Sequence, residues 1–184
     1  MSKSNIILED DQILCQLTGT VKKDSGKESN MQSIIRMLNE EYGFAMDDME
    51  RDFSISYEDP NSGNNKKFKV DIAIFEKEAE HKQENVVRIC IVHDEKVKES
   101  DSKKGVEATI KDIMWDIENC EFGLWSNGIQ YHYFQKIEDN YGNPDFEDIS
   151  DFPGEGETLA DLDRPDRTSG KIPVNDSLVR TFKR

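Results

Sequence analysis

The sequence predicts an α/β domain, a mixed β-sheet flanked by helices, with an acidic and weakly ordered C-terminal tail. Three observations predict this class. The 184 residues are enough for one core and an appendage. Between residues 31 and 137, apolar residues recur with helical spacing and strand alternation in the order α-β-β-β-α-β-β. Beyond residue 137, Glu138 to Asp176 contains twelve acidic residues and three basic ones, a composition typical of chain without a core.

These patterns divide the chain into three zones. Residues 1–17 are predicted to be an N-terminal extension, and residues 18–137 the folded domain. Residues 138–184 are predicted to be an acidic linker or tail, of the kind that leads to a further domain.

The first helix is predicted from spacing and capping. Ser29 and Gln32 form a capping-box arrangement, and Gly43 supplies a C-terminal stop. Between these signals the apolar residues recur every three or four positions: Met31, Ile34, Ile35, Leu38 and Tyr42.

Three strands follow this helix. Alternation from Phe53 to Tyr57 and from Phe68 to Ile74, across a turn at residues 59–65, predicts a β-hairpin. Asp71 stands among apolar neighbours in the second strand of that hairpin. Val86–Val92 is an almost continuous apolar run, as in a central strand of a mixed sheet.

A second helix and a second hairpin complete the domain. Val106, Ile110, Ile113, Met114 and Ile117 trace one apolar helix face. The pair Asn127-Gly128 between two strand-like runs indicates a tight hairpin turn. We expect Trp115 and Trp125 to lie in the core.

Composition excludes several classes of function. The net charge of −15 excludes a free-standing basic DNA-binding module, because binding phosphates requires clustered Lys and Arg. Three widely spaced cysteines form neither a disulfide framework nor a zinc site. No apolar run approaches the roughly 20 residues of a membrane span, and no glycine-rich phosphate loop indicates nucleotide binding. We expect a cytoplasmic protein.

One set of residues has the chemistry of a magnesium site. Asp94 and Lys96 project from the same face if the third strand continues through them, and Asp71 lies on the preceding strand. Two carboxylates and the backbone carbonyl of Glu95 would give Mg²⁺ hard oxygen ligands, with Lys96 beside the metal to activate a water. Taken alone, residues 94–101 are also typical of a solvated, charged loop.

The chain resembles the PD-(D/E)xK nucleases, and more narrowly the N-terminal domain of type I restriction enzyme R subunits. The resemblance covers roughly residues 18–137 and is carried by these segments: Leu38–Phe44, Val70–Phe75, Asp94–Lys96, Val97–Asp101, Gly105–Glu107 and Gly123–Gly128. Similar domains precede adenine-specific DNA methyltransferases, and residues 154–184 look like the connector to such a partner.

The resemblance implies a Mg²⁺-dependent DNA endonuclease of restriction-modification or phage defence. It makes Asp71 and Asp94 metal ligands, Lys96 the catalytic lysine and Glu41 the helical acidic residue. It implies DNA as substrate and a methyltransferase or translocase subunit as partner. Asp94 and Lys96 occupy the family positions only if the loop is shortened by about two residues. Without that gap, Ile91 and His93 occupy them and the site is inactive.

Three functions therefore remain open. The first is a magnesium-dependent nuclease. The second is an inactive domain of the same fold that positions DNA or binds a protein of a restriction or methyltransferase complex. The third is an acidic mimic of DNA, which would need carboxylates spaced like phosphates on a folded surface.

Overall fold

The computed structural model describes residues 8–59, 62–106 and 109–162. Within them lie a six-stranded mixed sheet and a separate two-stranded sheet. The helices and strands, in chain order, are β1 Gln12–Leu14, β2 Val21–Lys23, α1 Gly26–Glu40, β3 Met49–Glu58, β4 Asn65–Phe75, β5 Val86–Val92, α2 Ile110–Trp115, β6 Phe122–Ser126, β7 Tyr131–Glu138 and β8 Pro144–Ile149. The α/β class and the predicted order of elements are confirmed, with β1, β2 and β8 in addition.

The large sheet has its strands in chain order, β3-β4-β5-β6-β7-β8. Neighbouring strands are antiparallel except β5 and β6, which are parallel and joined through α2. One face of the sheet packs on α1 through Ile34, Ile35 and Leu38. The other face packs on α2 through Ile110 and Ile113. The sheet is therefore the middle layer between the two helices.

The helix α1 begins earlier than its sequence pattern predicts. Ser25 is the N-cap, and its hydroxyl accepts a hydrogen bond from the Glu28 amide at 3.2 Å. The predicted cap, Ser29, instead donates its hydroxyl to Asp24 at 2.5 Å. Both serines are good capping residues, so the sequence alone does not choose between them. The earlier start brings Lys27 and Glu28 into the first turn.

The folded domain reaches beyond the predicted boundary at residue 137. The strand β8 pairs with β7 along its whole length. Phe152 is completely buried in the core on the α1 side of the sheet. Sheet pairing and one aromatic anchor thus hold the segment after residue 137 in place. The rest of the predicted tail, residues 163–184, lies outside the described residues.

The predicted N-terminal extension is partly built into the fold. The strand β1 pairs with β2, and the connecting turn buries Cys15 completely. The Arg51 guanidinium donates to the Cys15 sulfur at 3.1 Å, which ties this two-stranded sheet to β3. Residues 1–7 lie outside the described part of the chain. Over the residues that are described, no helix has the length and apolar character to cross a membrane.

Candidate functional site

Asp71 lies on β4 with both carboxylate oxygens engaged. Its Oδ1 is 2.5 Å from the Lys27 ammonium of α1, and its Oδ2 accepts a hydrogen bond from the Val92 amide at 2.7 Å. The Asp71 side chain is 9% exposed, whereas that of Lys27 is 44% exposed. The carboxylate is thus buried between a helix and a strand end, and its charge is balanced by one lysine that reaches in from solvent.

The sheet is irregular at this point. The pairing of Arg51 with Ile72 and of Phe53 with Val70 places Asp52 opposite Asp71, and Asp52 has a φ of 57°. A positive φ is uncommon for a residue with a side chain and is found preferentially at functional sites. Val70 and Ile72 belong to the core clusters on opposite faces of the sheet, although regular alternation would place them on the same face.

The neighbouring strand β5 offers no carboxylate to Asp71. Ile72 pairs with Cys90, so continuation of the register places Ile91 opposite Asp71. Ile91 and Val92 are buried apolar residues at the end of β5. His93 follows, and its amide donates to the Ser126 carbonyl at 2.8 Å.

His93 lies close to Asp71 and Lys27 in an apolar setting. Its ring centroid is 5.9 Å from that of the buried Trp125, and its Nε2 is buried without a hydrogen-bond partner among the described residues. Burial and, next, the charge of Lys27 lower the pKa of His93, whereas the charge of Asp71 raises it. A neutral imidazole therefore fits this position at neutral pH.

Asp94, Glu95 and Lys96 form a turn after the strand. The Asp94 Oδ1 accepts the Lys96 amide at 2.9 Å, and the Asp94 carbonyl accepts the Val97 amide at 3.1 Å. Glu95 and Lys96 are exposed. A Cβ built at Gly26 would lie 3.3 Å from the Asp94 Cβ, so Asp94 packs beside the start of α1, next to Lys27.

Glu41 lies at the other end of α1. It is the C-cap of the helix, and its amide bonds to the Met37 carbonyl. Fourteen positions separate it from Lys27, or about 21 Å along an α-helix. The structure thus gathers Asp71 and Asp94 near the N-terminus of α1 and leaves Glu41 away from them.

Two residues of this region, Lys27 and Asn30, were not singled out by sequence reasoning, and His93 was considered only as the residue at the lysine position of the ungapped register. Asn30 donates its amide to the carbonyls of His93 and Asn127, at 2.9 and 3.0 Å, and so joins the ends of β5 and β6. Asn30 also lies against Gly128, where any Cβ would meet it at 2.3 Å. A correct helix start would have placed Lys27 and Asn30 one turn apart, facing the strand ends.

The side chains as placed do not present a magnesium ion with converging oxygen ligands. The Lys27 ammonium pairs with one oxygen of the Asp71 carboxylate. The Asp94 carboxylate accepts the Lys96 amide within its own turn. In the described ranges, no group of three or more His, Cys, Asp and Glu side chains is arranged to hold a metal ion. A divalent cation at Asp71 would have to displace Lys27, and the predicted site at Asp71, Asp94 and Glu95 stays a prediction.

Comparison with known proteins gives one result. The family model for the N terminus of type I restriction enzyme R proteins matches residues 27–153. The match begins at Lys27, the second residue of α1, and ends one residue after Phe152, so it covers the six-stranded sheet, α2, nearly all of α1 and the start of the segment after β8. Comparison with curated proteins finds no match, and neither does comparison with solved structures. With more than half of its length matched, the chain belongs to the family of type I restriction enzyme R protein N termini.

Proposed function

We propose that this chain is a non-cleaving module of a restriction-modification complex, which positions DNA or binds a partner subunit. The observation that carries the proposal is the pairing of Asp71 with Lys27 next to a strand that presents Ile91. Where a metal-dependent site needs a second carboxylate, β5 supplies an apolar side chain.

The electrostatics of this arrangement favour a structural role for Asp71. A buried carboxylate is costly unless it is paired and hydrogen-bonded, and Lys27 and the Val92 amide provide both kinds of partner. Through these two contacts Asp71 joins α1 to the end of β5. It therefore stabilises the fold at the place where a nuclease of this family would hold its metal.

Partners follow from the family and from charge. A restriction-modification context suggests DNA and a multi-subunit complex. The net charge of −15 disfavours tight DNA binding by this chain alone. We propose that a methyltransferase or translocase subunit presents the DNA, and that this chain contacts one of them.

The test is a cleavage assay with the full chain, alone and with a candidate partner subunit, on supercoiled and linear DNA. We expect no cleavage that depends on Mg²⁺ or Mn²⁺. We also expect neither ion to bind the chain. A cation that binds the folded state raises the melting temperature, so the melting temperature should be the same with and without either ion. Cleavage that requires the metal and is lost in Asp71→Ala would overturn the proposal.

A magnesium-dependent endonuclease is the second candidate. It is supported by the packing of Asp94 beside Gly26, which places both predicted ligands near the start of α1. In this case Asp71→Ala, Asp94→Ala and Lys96→Ala would each abolish cleavage. Glu41→Gln would reduce cleavage only if the distant end of α1 also contributes. Binding of Mg²⁺ by the Lys27→Met variant but not by the natural chain would instead indicate that Lys27 blocks the site.

A further inference from the structure

A cleft of about 430 Å³ lies between the end of α2 and the end of β7. Its walls include Trp115, the last residue of α2, Asp116 and Glu118, which follow the helix, and Lys136 and Glu138 from β7. The cleft is large enough for the side chain of a binding partner. None of these residues belongs to the region around Asp71.

Trp115 is the unusual feature of this cleft. It is 48% exposed, whereas Trp125 is fully buried. An exposed tryptophan in a concave site is typical of residues that anchor protein interfaces. Its indole face also attracts cations, because the ring carries negative charge density above its plane.

The charge of the cleft is negative. Among the residues that line the cleft, Lys136 is the only basic one. Its ammonium donates to carbonyls of α2 and of the residues just after it: Met114 at 3.1 Å, Ile117 at 2.5 Å and Glu118 at 3.2 Å. Asp116 is also committed, since its carboxylate accepts the Glu58 amide at 2.5 Å. Glu118 and Glu138, both exposed, are the remaining acidic residues that line the cleft with Trp115.

We propose that this cleft binds an arginine side chain of a partner protein, with the guanidinium over Trp115 and paired with Glu118 and Glu138. Arginine fits better than lysine because its planar group stacks on an aromatic ring while it binds carboxylates. DNA does not fit, because its phosphates would meet these carboxylates. Arginine binding in this cleft is separate from the proposed function and does not depend on whether the region around Asp71 cleaves DNA.

The probe is a pentapeptide of glycine and arginine labelled with fluorescein. The full chain is titrated into this peptide at low salt, and binding is followed by fluorescence anisotropy. A peptide with citrulline in place of arginine removes the charge and keeps the shape. We expect saturable binding of the arginine peptide and weaker binding of the citrulline peptide. Trp115→Leu keeps apolar bulk without the indole and should weaken binding about two- to fivefold.

The matched control separates the cleft from overall charge. Glu118→Gln with Glu138→Gln removes two charges inside the cleft, and Glu40→Gln with Glu76→Gln removes two exposed charges outside it. Only the pair of substitutions at Glu118 and Glu138 should weaken binding of the arginine peptide. Equal effects of both pairs, no binding of the arginine peptide, or Trp115-dependent binding of duplex DNA would each overturn it. Thermal melting verifies that the variants are folded.

Discussion

The ammonium of Lys27 and the carboxylate of Asp71 form an ion pair of 2.5 Å that joins the first turn of α1 to β4. The Asp71 carboxylate is nearly buried and also accepts the Val92 amide. The pair thus links the helix, β4 and the end of β5 at a single point.

We expect Lys27→Met to lower the free energy of unfolding by about 1–2 kcal/mol, because it leaves a buried carboxylate without its cation while the exposure of Lys27 moderates the loss. A double-mutant cycle with Asp71→Asn, measured by urea denaturation, should give a coupling of about 1 kcal/mol. Lys98→Met, at an exposed lysine, is the control. A Lys27 variant no less stable than this control would contradict the structural role of the pair.

The Glu28–Arg51 pair should make stability depend on acid pH. The Arg51 guanidinium holds the pKa of Glu28 below its ordinary value of 4.5, and both side chains are about a tenth exposed. A lowered pKa in the folded state means that the unfolded chain binds the extra proton, so stability is lost as pH falls below 4.5. The urea concentration at the unfolding midpoint should therefore be higher for the natural chain than for Glu28→Gln at neutral pH. The difference between the two midpoints should become smaller in acid. A gap independent of pH would exclude this linkage.

Cys15 should ionise at a lower pH than the other two cysteines. Burial raises the pKa of its thiol, but hydrogen bonds from Thr18 and Arg51 outweigh burial and bring the pKa to about 7. Burial raises the pKa of Cys90 and brings that of Cys120 to about 12. Thiolate absorbance between about pH 5 and 9 should show one step near neutrality that disappears in Cys15→Ser. A step that survives this substitution would refute the assignment.

Residues 138–162, which include β8 and the segment after it, should be essential for folding. We expect a chain ending at residue 137 to lose cooperative unfolding, whereas one ending at residue 162 keeps it. Phe152→Ala should cost about 3–5 kcal/mol, because it empties a fully buried ring site. Tyr141→Ala, at a side chain 90% exposed, should cost little. Thermal unfolding of the two truncated chains and the two point variants makes the comparison. Equal melting temperatures for Phe152→Ala and Tyr141→Ala would contradict the role of Phe152 as an anchor.

Much of the sheet could be predicted because its strands carry strong local signals. The hairpin of β3 and β4 and the apolar run of β5 match the structure, and Asn127-Gly128 begins the hairpin connection of residues 127–130 between β6 and β7, which is longer than the predicted tight turn. The strand β8 could not be predicted, because it is acidic, with Phe146 and Ile149 as its larger apolar residues, and it is held by pairing with β7. Its order depends on a neighbour in space rather than on its own composition.

The site was harder to predict than the fold. Asp71 was expected among apolar residues and is buried, but nothing in its strand indicates that a lysine from α1 reaches it. Trp115 was expected in the core and is half exposed, because α2 ends at that residue. Side-chain partners across elements, such as Asn30 with His93 and Asn127, depend on tertiary packing and leave no pattern along the chain.

The parallel pairing of β5 with β6 has a consequence for the order of folding. Antiparallel neighbours in this sheet are joined by short local connections, but β5 and β6 come together only after the segment containing α2 has crossed over. Non-local pairing of this kind forms slowly, because the chain loses the entropy of loop closure before the stabilising contacts between the strands are made. The Asn30 bridge between His93 and Asn127 joins those same two strand ends. In refolding experiments, hydrogen exchange should therefore protect the β3–β4 hairpin before the end of the sheet that carries His93.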